Sequence, residues 1–156
     1  MSTTPQIPTL RAATLSAARR TAIEHFYGAL AAKNFDLVDD ALTEHWEDIP
    51  LAPGQAPGPA GVKWIFAMLI AAFPDLTLEI VEALAEGDRA AIRVVCKGTH
   101  RGDLFGVPAS GKTVQFNLHE FHQFEGERIV RTWHMEDLFG LFAQIGSWPA
   151  LAEEAA

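Results

Sequence analysis

Residues 113–136 read TVQFNLHEFHQFEGERIVRTWHME, and this stretch decides the fold. On its first arm Val114, Phe116 and Leu118 alternate with Thr113, Gln115 and Asn117, the period-two pattern of a strand with one buried face. Glu125-Gly126-Glu127 interrupts the pattern as a hairpin turn would. Residues 128–136 then resume it as a second arm. The alternation continues through Glu120 and His122 on the apolar face, with His119, Phe121 and Gln123 opposite. On the second arm Val130, Thr132, His134 and Glu136 share a face opposite Ile129, Arg131, Trp133 and Met135.

The same pattern extends upstream. Residues 76–85 and 89–100 are rich in β-branched and apolar residues and flank Glu86-Gly87-Asp88, a second turn. A loop at 102–112, with Pro108 and Gly111, joins the two hairpins. The N-terminal half has a different period. Over 15–33, Ile23, Phe26, Tyr27 and Leu30 fall at i, i+3, i+4 and i+7, which predicts a helix capped by Thr14 or Ser16. Residues 35–43 read as a short second helix. Residues 45–49 read as a short strand with Trp46 and Asp48 on one side. Four prolines and two glycines make 50–59 an irregular loop. A third helix over 61–73 is apolar all round and stops at Pro74, so it is buried on several sides, lines a cavity or meets another subunit. Asp137 is placed to cap a last short helix ending near Gly146. Helices followed by antiparallel strands make an α+β domain over 14–146, with a loose arm at 1–13 and a tail at 147–156. A strongly curved sheet around the helices would enclose a pocket.

Composition narrows the function. The 156 residues are 49% hydrophobic and 21% charged, which suits one globular domain. The formal net charge of −8 argues against nucleic acid or a membrane surface as partner. A single cysteine, Cys96, excludes an intrachain disulfide framework and a cysteine-based zinc cage, and reads as a small core residue. No apolar run reaches transmembrane length and no secretory signal opens the chain, so a cytoplasmic location is expected.

The phrases Ala72-Phe73-Pro74-Asp75-Leu76, Glu86-Gly87-Asp88-Arg89, Gly98-Thr99-His100-Arg101-Gly102 and Leu104-Phe105-Gly106-Val107-Pro108 follow one another in a recognisable order. Gly111-Lys112, Arg128-Ile129-Val130, Trp133, Asp137-Leu138 and Gly140-Leu141 continue it. Over roughly 20–146 the chain resembles the SnoaL-like polyketide cyclases of the nuclear transport factor 2-like superfamily. The resemblance implies a cone-shaped curved antiparallel sheet wrapped around three N-terminal helices, plus a short C-terminal helix. It implies a deep hydrophobic pocket, a homodimer, no cofactor, and a hydrophobic small-molecule substrate. The scaffold hosts several chemistries, so fold does not fix reaction.

A cofactor-free ring closure needs a base of near-neutral pKa in a dry pocket, and imidazole or a buried carboxylate supplies one. Six histidines are present: His25, His45, His100, His119, His122 and His134. In the cyclases an acid/base Asp follows the Trp of the last strand, and a His faces it from the preceding strand. Here those positions match His134 and Glu120, so the residue types are exchanged. His134 is therefore expected as general acid/base, with Glu120 orienting it. The register between them is open. A three-residue turn, which the resemblance favours, makes them diagonal neighbours about 7–8 Å apart. A two-residue turn, Gly126-Glu127, puts Glu120 beside Trp133 and suits glycine at the first position of a type II′ turn.

Asp48 matches an acidic position at the family's pocket rim, and His100 could polarise a carbonyl at the mouth; both are auxiliary candidates. Trp46, Trp64, Met68, Phe73, Phe105, Phe116, Leu118, His122 and Thr132 are candidate pocket residues. HEFH (119–122) lacks the spacing of a helical zinc motif, and at most His122, Glu120 and His134 converge; no metal is assigned. The reaction expected is an aldol-type ring closure or related proton transfer on a carbonyl compound. The alternatives are a hydrolase or dehydratase in the same pocket, and a non-catalytic ligand-binding or dimeric scaffold module.

Overall fold

A computed structural model describes residues 14–150. The expected arm at 1–13 and the end of the tail, 151–156, lie outside the described residues. Helix α1 (Ala17–Ala31) starts where Ser16 accepts a hydrogen bond from the Arg19 amide, at 3.2 Å. Thr14, the other cap candidate, donates instead to the Ala85 carbonyl. The helix stops two residues before Lys33, whose φ of 56° no helix accommodates. Helix α2 (Asp36–Ala41) passes directly into strand β1 (Leu42–Ile49), which is three residues longer than the sequence pattern predicts. Helix α3 (Pro59–Ala72) begins on a proline at its first turn. Strands β2 (Thr77–Glu86), β3 (Arg89–Thr99), β4 (Thr113–Glu125) and β5 (Arg128–Glu136) follow. Helix α4 (Leu138–Ile145) starts at Asp137, whose carboxylate accepts from the Gly140 amide at 2.8 Å, and ends at left-handed Gly146. At the start of the tail Trp148 packs 5.2 Å from Phe139 and 6.0 Å from Phe142.

The fold is α+β, with one five-stranded sheet in the order β1-β5-β4-β3-β2. An all-antiparallel sheet is the expectation, and the structure corrects it: β1 runs parallel to β5. The four later strands are chained by two hairpins and the 100–112 loop and alternate in direction. No tight turn links β1 to its neighbour, so nothing imposes antiparallel pairing there.

One face of the sheet is the core face. Ala90, Ile92, Val94 and Cys96 of β3 and Val114, Phe116, Leu118 and Phe124 of β4 are all buried on it, against Ile23, Phe26 and Leu30 of α1. Glu120 and His122 share that face and are equally buried. The hairpin between β4 and β5 follows neither of the two simple registers. Glu125 pairs with Arg128 and Phe124 with Ile129, so the turn is the two-residue Gly126-Glu127. Gly126 has a φ of 61°, as a type II′ turn requires. Val130 is then an extra residue, a β-bulge, and beyond it Gln123 pairs with Arg131 and Glu120 directly with His134. The bulge also brings Ile129 onto the buried face, where simple alternation places it outside.

Candidate active site

A cavity of about 260 Å³ lies between the core face of the sheet, α1 and α3. Phe26 and Leu30 of α1 and Val62, Ile65, Phe66, Met68 and Leu69 of α3 form its apolar walls. This accounts for the apolar character of α3: part of it is core and part faces the hollow. Phe105 sits in the loop after β3 and lines the cavity with a φ of 50°, held by a two-residue turn in which Leu104 and Val107 exchange backbone hydrogen bonds. Tyr27, Asp48, Gln55, Glu120, His134 and Glu136 are the polar lining residues, and no Lys or Arg lines it among the described residues.

The polar groups gather around His134. Its Nδ1 donates to Glu136 Oε1 at 2.7 Å and its Nε2 donates to the Pro50 carbonyl at 2.7 Å. With both ring nitrogens donating to oxygens, the ring is an imidazolium. Asp48 Oδ1 lies 3.3 Å from Nε2, and Asp48 Oδ2 accepts from Gln55 Nε2 at 2.7 Å. Burial opposes the ring's charge, but the bonded Glu136 and the nearby Asp48 and Glu120 outweigh it and raise the His134 pKa to about 9. Asp48 is pushed up chiefly by burial.

Glu120 is 7% exposed. Desolvation is the main cause that lifts its pKa to about 7, while the Tyr27 hydroxyl bond and the charge of His134 hold it down. Tyr27 donates to Glu120 Oε2 and lies 2.8 Å from His122 Nε2. His122 Nδ1 lies 2.9 Å from Thr132 Oγ1, which accepts from Trp46 Nε1 at 3.0 Å. Burial drives the His122 pKa down to about 3, so its ring is neutral.

The sequence candidates therefore divide. Glu120, His134 and Asp48 line the cavity together, with Met68, Phe105, Phe116 and Leu118. Glu120 does not orient His134 by a hydrogen bond, because Glu136 and the Pro50 carbonyl occupy both ring nitrogens. Trp46, His122 and Thr132 lie behind the lining as a buried hydrogen-bonded chain. Phe73 is core, 6.0 Å from the Phe116 ring. Trp64 is 48% exposed and does not line the cavity. His100 is fully buried, packs 5.6 Å from Phe73, and accepts from the Ser110 amide at Nδ1; it fastens the 102–112 loop and does not reach the cavity. The metal-like grouping also differs from the expected one. Ligand atoms of Glu120, His134 and Glu136 lie within 4.8 Å of one another, while His122 turns towards Tyr27. A cation at that trio would have to displace the proton on His134 Nδ1.

Sequence reading assigns no role to Tyr27, Gln55 or Glu136. Tyr27 carried a signal: it is the chain's single tyrosine and falls on the apolar stripe of α1, where a phenol needs a buried partner. Glu136 shares the inward face of β5 in the alternation. Nothing in the sequence ties Gln55 to Asp48.

The family model of SnoaL-like polyketide cyclases matches residues 20–145, and the chain belongs to that family. Its structure is similar to that of TsrD from Streptomyces laurentii, at 26% identity and a TM-score of 0.79, over 86% of this chain and 99% of that one. IdmH from Streptomyces antibioticus is 25% identical, with a TM-score of 0.71 over 82% of this chain and 98% of its own. A SnoaL-like polyketide cyclase from Agrobacterium tumefaciens, at 24% identity and a TM-score of 0.65, covers 81% and 98% and shares the fold. No curated protein matches the chain in sequence.

Proposed function

We propose that this chain is a cofactor-independent enzyme that binds a largely apolar carbonyl compound and moves a proton on and off carbon. Its most concrete form is the aldol-type closure of a polyketide ring. The observation that carries this reading is Glu120, a carboxyl group on the wall of an apolar cavity with its pKa lifted to about 7. A base of that strength is matched to neutral pH, and an apolar enclosure keeps water from competing for the proton.

The roles fall the other way round from the sequence expectation. Glu120 takes the proton from the substrate C–H, and the bonding pair passes into the enolate. The enolate carbon attacks the second carbonyl carbon, and a C–C bond forms. The resulting alkoxide recovers a proton from the Glu120 carboxyl group. The charge of His134, with a ring nitrogen within 4.8 Å of a Glu120 oxygen, favours the developing enolate, and Glu136 with the Pro50 carbonyl keeps the ring in place.

The test is turnover of a panel of acyclic polyketide esters with acidic C–H groups, scored for isomeric ring products against water incorporation. Glu120→Gln, with its fold intact, should lower turnover by at least about 100-fold, in keeping with loss of a general base. His134→Asn should lower it less. Parent-like turnover by Glu120→Gln would refute the assignment.

The chain is also proposed to be a homodimer. Leu84, Ala91, Phe121 and Trp133 pair in a row across the outward face of the sheet, and Met135 lies beside them at 71% exposure. A contiguous apolar row on an outward sheet face is the kind of surface a second copy covers.

A further inference from the structure

We infer that Tyr27 is a positioning residue for Glu120, held in that role by a one-way hydrogen-bond chain that begins at Trp46 on β1. The inference rests on the reading of Glu120 as the group that moves the proton. The direction of the chain follows from its two ends: Trp46 Nε1 can only donate, and the ionised Glu120 carboxylate can only accept. Tyr27 therefore spends its one hydrogen on Glu120 and takes one from His122 Nε2. Trp46 Nε1 can only donate, so Thr132 Oγ1 accepts from it. The Thr132 hydroxyl keeps its own hydrogen for His122 Nδ1, 2.9 Å away. Nδ1 is then an acceptor, and the neutral ring carries its hydrogen on Nε2, aimed at the Tyr27 oxygen 2.8 Å away. With that oxygen engaged as acceptor, the Tyr27 hydrogen has one destination, the Glu120 carboxylate. Four side chains from α1, β1, β4 and β5 thus fix one hydrogen.

Two consequences follow for Glu120. One carboxylate oxygen, Oε2, is clamped, so the proton-accepting lone pairs belong to Oε1 and to one geometry. The bond also favours the ionised form and restrains the effect of burial. The groups facing Glu120 are Tyr27 from α1, His122 on its own strand, Cys96 from β3, His134 and Glu136 from β5, and Asp48 from β1. Of these, Tyr27 is the one that donates a hydrogen bond to it among the described residues. Tyr27 itself resists ionisation: burial, then the charge and hydrogen bond of Glu120, raise its pKa well above the ordinary value, so it remains a donor throughout the working range.

Carbon-13 NMR of the full chain labelled at the glutamate carboxyl carbon reads the Glu120 midpoint with no substrate present; Glu120→Gln assigns the signal. Tyr27→Phe should raise that midpoint by roughly one pH unit, the size expected when a charge-assisted hydrogen bond is lost. Thr132→Val should raise it by less, because His122 loses the donor that fixes its tautomer and Nε2 then competes for the Tyr27 hydrogen. Thr132→Ser, which keeps the hydroxyl, should restore the parent midpoint. An unmoved midpoint in either Tyr27→Phe or Thr132→Val overturns the inference. Should Tyr27→Phe fail to fold, Thr132→Val and its serine rescue carry the test, since Thr132 lies outside the cavity lining. The titration stands apart from catalysis. If Glu120→Gln retains turnover, the functional reading falls while the midpoints still report on Tyr27.

Discussion

Glu120 is a polar residue in a core position, and its burial links protonation to stability. Its folded-state pKa, about 7, exceeds the ordinary carboxylate value of 4.5. The folded state therefore binds this proton more tightly than the unfolded chain does. The stabilisation is complete below about 4.5 and is lost as pH rises through about 7. His122 works oppositely: with a folded pKa of about 3, it stabilises above 6.5 and loses that contribution as pH falls towards 3. Glu120→Gln removes the first dependence and leaves the second. The difference in Tm, variant minus parent, should rise between pH 4.5 and 7 in a calorimetric series; a flat difference would mean that Glu120 titrates normally. At this scale the sequence was informative about identity and poor on partners. Alternation alone places Glu120 and His122 on one face of β4, and the hairpin register decides whether His134 joins them. Alternation cannot pair His134 with Glu136, two residues along the same strand, or with a carbonyl in the proline loop, because such contacts depend on rotamers and on where a loop returns.

At the scale of elements, the hairpin shows how a local rule is modified rather than broken. Gly126 dictates a two-residue turn, and the structure obeys. One bulged residue, Val130, then shifts the register so that Glu120 faces His134 and not Trp133. Bulges have no residue signature of this kind: they arise where twist and packing of neighbouring strands are best met by one unpaired residue. Helix α3 depends on a close backbone approach. A Cβ at Gly61 would lie 1.7 Å from the Ala56 carbonyl oxygen, and neither backbone can yield without moving α3 off the cavity. Gly61→Ala should destabilise the protein by about 3 kcal/mol, or roughly 6–12 °C in Tm, as thermal unfolding would measure. A loss under 1 °C would show that the loop adjusts freely. Asp137→Ala is the milder contrast: it removes a cap seen in both sequence and structure and should cost about 1 kcal/mol.

For the whole molecule, the unusual partition is between the two faces of one sheet. The inner face packs against the helices and the cavity and carries the buried polar chain; the outer face leaves Leu84 65% and Phe121 56% exposed. Light scattering of the full chain should give twice the monomer mass, and Leu84→Glu with Phe121→Glu should return it to one. A monomeric parent would end the homodimer proposal. No helix among the described residues is long and apolar enough to cross a membrane.

Residue periodicity by itself determined the order of helices and strands, the inward set on β4 and the cap at Asp137, because these follow from local spacing and from backbone groups a few residues away. It also placed a carboxylate and an imidazole on neighbouring arms. Only the tertiary structure decided that β1 runs parallel to β5, that Val130 bulges, that Trp64, Phe73 and His100 stand apart from the cavity, and that Tyr27 reaches Glu120 across 93 residues of chain. Those outcomes are set by long-range packing, where the burial of one group depends on groups remote in sequence, and so the proton affinities of Glu120 and His134 exist only once the core has closed around them.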